Sequence, residues 1–246
     1  MGMAPPTILV QRDYDDLSRA GADFVASVVA ARPDAAVLVA TGKTPMGLYA
    51  ELARRQEAGA FDGSRLRVFQ LDEYTGTAEH DRRSLYDWTL RAFVDPLHVP
   101  HERVARLPSD GDIPGGCAAY DRSVADADGI DLAILGIGTN GHVGFNEPPS
   151  DRWTTTREVE LTPETIRANA GYWEQGEHIP RRGVTVGMTT LVSARRILLL
   201  ASGASKCDIV RRAMQGPVGA EVPASLLREA EGVTVLVDRP AWDGMA

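Results

Sequence analysis

Seven short apolar runs, separated by longer amphipathic stretches, constrain the fold of this 246-residue chain more than any other feature. They are 7–10 (TILV), 35–40 (AAVLVA), 66–71 (LRVFQL), 130–135 (IDLAIL), 184–188 (VTVGM), 196–201 (RILLLA) and 233–237 (VTVLV). Runs this short, apolar and partly β-branched read as buried strands. The stretches 13–31, 45–57, 84–93, 115–126, 163–170, 189–194, 204–214 and 223–230 read as helices, the first opened by Asp13, Asp15 and Asp16 at the positive end of its dipole. Strands spaced by helices make βαβ units, whose parallel sheet must be covered on both faces. The expected fold class is therefore α/β, a Rossmann-like three-layer sandwich with a mainly parallel sheet. The length suits a single domain over 1–246.

Charge and cysteine usage narrow the partners. The net charge is −8 and there is no basic block, which argues against nucleic acid. An acidic chain that takes an anionic ligand must use local groups, so a small-molecule site is expected. Cys117 and Cys207 are the only cysteines, too few for a metal knuckle or a disulfide scaffold, and point to a cytoplasmic protein with reduced thiols. The N-terminus lacks the basic and apolar regions of a signal peptide, and Pro6 breaks the myristoylation pattern. No run approaches the roughly 20 apolar residues that span a bilayer, so no membrane partner is expected.

In an open parallel sheet, ligands bind beyond the carboxyl ends of the strands, so the residues just after each run carry the functional reading. After 35–40 comes Thr41-Gly42-Lys43-Thr44-Pro45. It has the last letters of a nucleotide-binding P-loop, but the first glycine of that motif is replaced by Val37. What remains is strand, glycine turn and helix N-terminus, where free N–H groups and the dipole favour an anion. The loop reads either as a phosphate or carboxylate cradle or as an ordinary turn. After 66–71 comes Asp72-Glu73. Adjacent residues on extended chain point to opposite sides, so one of them faces the cleft, where desolvation would make it a general base; the competing reading is a helix cap or surface pair. After 130–135 comes a glycine-rich loop, Gly136 to Pro148, holding His142 with Asn140 two residues before it and Glu147 five after. A histidine there suits acid/base work near neutral pH, with an acidic or amide neighbour to fix its tautomer. Gly136, Gly138 and Gly141 match a dinucleotide fingerprint, but Pro148-Pro149 stands where its helix would run. His80, His98, His101 and His178 lack paired ligand spacing, so no metal and no cofactor is expected.

The blocks Thr41–Pro45, Leu71–Tyr74, Gly136–Pro148, Leu161–Thr165 and Thr185–Leu191 together resemble the glucosamine-6-phosphate deaminase family, in order and spacing, from about residue 8 to 240. A related lactonase branch shares the fold and glycine loop but has a serine-rich stretch in place of Phe145-Asn146-Glu147-Pro148. The resemblance implies an enzyme that converts glucosamine 6-phosphate and water to fructose 6-phosphate and ammonia by ring opening, proton transfer between C2 and C1 and loss of the amine. It implies Asp72 as base for the C2 proton, and His142 as ring-opening acid/base assisted by Glu147 and Asn140. No cofactor is implied. Thr41, Gly42, Lys43, Thr44 and Lys206 are the expected phosphate site, and a homo-oligomer stays open.

Four departures stand out. Asn140 replaces an aspartate that is frequent in the family; it is expected to hold the imidazole by hydrogen bond without a full counter-charge. Gly171 stands where the family's phosphate-gripping arginine is expected, in Ala168-Asn169-Ala170-Gly171-Tyr172. Lys43 occupies a position that is commonly glycine or serine. Lys43 is therefore read as restoring the lost charge from another segment, with Arg167 a second candidate; the alternative is a solvated Lys43 and a substrate without phosphate. Segment 149–157 (PSDRWTTTR) lacks the family's Ser-Arg-Thr-Arg pattern, so no amino-sugar activation is expected. A changed sugar-phosphate substrate, a lactonase-like hydrolase and a non-catalytic sugar-phosphate sensor are the rival functions.

Overall fold

The computed structural model describes residues 5–78, 81–169 and 179–243; Gly171, His80 and His178 lie outside them. Its centre is a seven-stranded, wholly parallel sheet. The strands are β1 (Thr7–Gln11), β2 (Ala36–Val39), β3 (Arg67–Gln70), β5 (Val104–Ala105), β6 (Leu132–Gly136), β9 (Ile197–Ala201) and β10 (Val233–Asp238). Their order is β1-β10-β9-β6-β2-β3-β5. A three-stranded antiparallel sheet, β4 (Asp72–Tyr74), β8 (Arg182–Thr185) and β7 (Arg157–Glu160), stands beside it in the order β4-β8-β7.

The apolar runs form the strands because the sheet is buried on both faces. Along β2 alternate residues enter opposite cores: Ala36 and Leu38 join one cluster, Val37 and Val39 the other. The second cluster includes Leu17, Val25 and Val29 of α1 (Tyr14–Ala31) and Leu48 and Leu52 of α2 (Met46–Glu57). The first includes Tyr120 of α4 (Ile113–Asp126), Leu191 of α6 (Met188–Val192) and Ile209 of α7 (Cys207–Gln215). This is the expected three-layer α/β sandwich. Asp13 caps α1 by accepting from the Asp16 N–H at 2.8 Å.

Four expectations are corrected. The run 184–188 is not a central strand: Arg182–Thr185 forms β8 of the small sheet, and Met188 already opens α6. The run 66–71 ends its ladder at Gln70, and the chain crosses into the small sheet at Asp72. The helix expected at 223–230 is a 3₁₀ turn, Pro223–Glu229, and that at 84–93 is α3 (Leu85–Thr89) continued by a π-turn, Leu90–Val94. Strands β5 and β7 were not foreseen, being two residues long and polar (REVE) respectively.

The strand order sets the site. From β2 the chain proceeds outward to β3 and β5; from β6 it proceeds the other way to β9 and β10. The switch point lies between β2 and β6, paired at Val39 and Ile134. Their carboxyl ends release the Thr41–Pro45 loop and the Gly136–Pro148 loop side by side, and a crevice at such a switch point is the standard ligand site of this architecture.

Candidate active site

A cavity of about 240 Å³ opens at the switch point, lined by Thr41, Gly42, Lys43, Thr44, Asp72, Asn140, His142 and Lys206 among others. Thus eight of the nine residues singled out in the sequence line one cavity. Glu147 is the ninth, and it stands behind His142. Tyr74, Leu85, Trp88 and Phe145 close another side.

The first loop is held from outside the sheet. The Tyr14 hydroxyl lies 3.1 Å from both the Lys43 and Thr44 carbonyls and accepts the Gly47 N–H at 2.9 Å. Gly42 has φ +98, a turn conformation that disfavours any residue with a Cβ. Lys43 is exposed at the cavity mouth, and Lys206 is half-buried on the same cavity. The Lys206 ammonium donates to the Ile137 carbonyl at 2.7 Å, and burial lowers its pKa. No carboxylate of the described residues pairs with either lysine, so both cations are available to an anion. Arg167, the second charge candidate, is exposed and does not line the cavity itself, and its guanidinium is paired at 3.1 Å with Glu164, which does.

The Asp72-Glu73 pair divides as extended chain requires. Asp72 turns to the cavity yet is only 7% exposed, and its Oδ1 is buried with no hydrogen-bond partner. Burial, reinforced by the neighbouring Glu73 charge and opposed by the Thr41 hydroxyl, pushes its pKa up from 3.8 to about 7. Glu73 points the other way, fully buried. The helix-cap reading therefore holds for Glu73 and the cleft reading for Asp72.

His142 is packed on Gly138, where any Cβ would sit 2.3 Å from the imidazole. Its Nδ1 lies 3.3 Å from Glu147 Oε1, within ion-pair distance but off hydrogen-bond alignment. Glu147 Oε2 accepts from Asn140 Nδ2 at 2.6 Å, and Oε1 accepts from the Thr165 hydroxyl of α5 (Pro163–Asn169). Burial raises the Glu147 pKa, but His142, Thr165 and Asn140 together outweigh it and hold the carboxyl below its ordinary range. The expected contact from Asn140 to the imidazole is not made. Its Oδ1 instead accepts the His142 backbone N–H at 3.1 Å, so it braces the loop and Glu147, and Glu147 alone faces the ring. The full counter-charge missing at position 140 is thus supplied at 147.

Thr165 escaped sequence reasoning as a site residue. Its only sequence signal is its place in the Leu161–Thr165 block, because the contact to Glu147 spans 18 residues. Among the described residues no three His, Cys, Asp or Glu side chains are grouped to hold a metal, and no helix is long and apolar enough to cross a membrane.

One cavity thus holds a carboxylate poised near neutrality, a carboxylate-backed histidine and two lysine cations. Comparison with known proteins identifies the family. A family model described as glucosamine-6-phosphate isomerases/6-phosphogluconolactonase matches residues 12–236. Glucosamine-6-phosphate deaminase of Halothermothrix orenii is 39% identical over 95% of this chain and 98% of its own. That of Bacillus velezensis is 36% identical over 96% and 99%. A solved structure of a monomeric glucosamine-6-phosphate deaminase superposes with a TM-score of 0.92 at 33% identity, covering 96% of this chain and 98% of that one. 6-Phosphogluconolactonase of Thermotoga maritima, at 20% identity and a TM-score of 0.75, shares the fold. The chain belongs to the glucosamine-6-phosphate isomerase/6-phosphogluconolactonase family.

Proposed function

We propose that this chain is a single-domain glucosamine-6-phosphate deaminase, converting glucosamine 6-phosphate and water to fructose 6-phosphate and ammonia. The observation that carries the reading is Asp72, buried with one oxygen partnerless, on the lining of the cavity that also holds His142 and the lysines. In the ring-opening step, His142 moves the proton between the ring oxygen and the anomeric hydroxyl, and Glu147 stabilises the imidazolium that forms. Asn140 and Thr165 keep Glu147 in place for this. Asp72 then takes the C2 proton of the open-chain aldose and returns a proton to C1. A base with a pKa near 7 is matched to that two-way traffic. The C2 imine so formed is hydrolysed, releasing ammonia and leaving the ketose.

The Thr41–Thr44 loop and Lys206 hold the phosphate, with Lys43 as the second cation in place of the arginine expected at 171. The low number of cysteines, both free, supports a cytoplasmic setting. The test is ammonia release from glucosamine 6-phosphate with fructose 6-phosphate measured in the same sample. Stoichiometric appearance of both supports the reading; folded protein that yields neither refutes it.

A further inference from the structure

Glu73 is fully buried, sits one residue from Asp72 and plays no part in the mechanism above. Its two oxygens accept four N–H groups. Oε1 takes the backbone amides of Tyr74 at 2.8 Å and Leu85 at 2.9 Å. Oε2 takes the Tyr86 amide and the Gln70 side-chain amide, each at 2.9 Å. The same Gln70 nitrogen donates to the Asp72 carbonyl at 2.9 Å, and its oxygen accepts the Leu107 N–H at 3.0 Å. All four partners of Glu73 are donors. A protonated carboxyl would need an acceptor for its own O–H, and none of the four supplies one, so the geometry is that of an ionised carboxylate.

Two consequences converge on the site. Leu85 and Tyr86 are the first residues of α3, whose Leu85 and neighbouring Trp88 line the cavity. Glu73 therefore ties that wall to the strand carrying Asp72. Burial raises the Glu73 pKa above the ordinary carboxylate range and the four donors oppose that rise, so the charge they favour lies next to Asp72 in a region shielded from solvent.

We infer that Glu73 is a positioning residue of the reaction, docking the α3 wall onto the Asp72 strand and keeping Asp72 a strong base through its adjacent charge. The inference rests on Asp72 being the base. The other groups around Asp72 are of different kinds. Thr41 bonds to it from the loop after β2, and Tyr49 of α2 and Tyr120 of α4 are neutral phenols that feel its charge. His142, Lys43, Lys206 and Glu164 line the same cavity. Among the acids, Glu73 is the one whose charge raises the Asp72 pKa, second only to burial.

The experiment separates charge from docking with two variants read by the pH profile of kcat/KM. Glu73→Gln removes the charge and also sets an NH2 against N–H donors, so kcat/KM falls in it as well; the charge is read from the pH alone, where the acid limb, which follows Asp72, is expected to move to lower pH by about one unit. Glu73→Asp keeps the charge but shortens the reach to α3; the limb is expected to stay, with kcat/KM falling by about tenfold or more as the wall shifts. A folded Glu73→Gln enzyme with its limb unmoved overturns the charge role. Should that variant not fold, Glu73→Asp decides, and wild-type behaviour in it overturns the docking role. Asp72→Asn is the control: if it keeps its activity, the base assignment falls, which neither Glu73 variant can produce.

Discussion

Replacing Asp72 by asparagine removes the one cavity carboxylate whose burial is uncompensated, so it is expected to abolish activity and stabilise the fold. The sign follows from proton linkage. The carboxyl titrates at about 7 when folded, against 3.8 for its ordinary value. Its contribution to stability is thus fully present below pH 3.8 and is lost as pH rises toward 7, where the unfolded chain is ionised and the folded one resists ionisation. At about 1.4 kcal/mol per unit, the whole shift costs the wild type about 4 kcal/mol above pH 7. Roughly half of that is already incurred at pH 5.5. Asparagine cannot ionise, so its advantage over wild type should widen by about 2 kcal/mol between pH 5.5 and pH 8.5. For a chain of this size that is about 4–8 °C in Tm. The assay is a pair of thermal melts at each pH, which cancels any constant difference in how asparagine fits. kcat should fall by about 10²–10⁴, the usual cost of removing a general base. A Tm difference that is the same at both pH values refutes the uncompensated burial, and retained turnover refutes the catalytic role.

Two further outcomes test the rest of the site. Lys43→Ala should raise KM for glucosamine 6-phosphate tenfold or more with kcat little changed, since a charge contact worth about 1.5–3 kcal/mol is lost; steady-state kinetics with an unchanged KM would remove Lys43 from the phosphate site. Gly138→Ala places a methyl 2.3 Å from the His142 ring, so kcat should fall by about 10²-fold while the circular dichroism spectrum stays that of the wild type; full activity would mean that the ring is not held where the structure has it.

What the sequence made legible, and what it hid, has a physical pattern. The runs 35–40 and 130–135 could be read because β2 and β6 are central and buried on both faces, so every position but Asp131 is apolar. The switch-point loops followed, since glycines and a lone histidine at strand ends are local signals. The small sheet was invisible for the opposite reason. Leu66 to Tyr74 runs on without glycine or proline, so nothing marks the crossing from β3 to β4 at Leu71, and β7 is an edge strand with no fully buried residue, so it needs no apolar run. Long-range polar contacts were hidden too. Glu147 lies five residues from His142 and was found; Thr165, which grips the same carboxylate, comes from a different helix and carries no spacing signal. The contact of Asn140 differs from the one expected because the sequence places it near His142 without saying whether it meets the ring or the backbone.

The two site carboxylates show why position in this fold matters more than residue type. Asp72 enters the cavity from a strand edge with one oxygen unpartnered, and burial favours its neutral form. Glu147 is also buried, yet a hydroxyl, an amide and an imidazole converge on it and favour its charged form. Near neutral pH the first can both take and return a proton, whereas the second stays anionic beside the histidine. Environments that push two acids apart in this way separate the proton carrier from the electrostatic support. The division requires that donors cluster around Glu147 and stay away from Asp72 Oδ1. Thr185 pairs with Asp72 across the two strands, yet its hydroxyl accepts the Phe145 amide and donates toward the Val186 carbonyl, so its proton is directed away from Asp72.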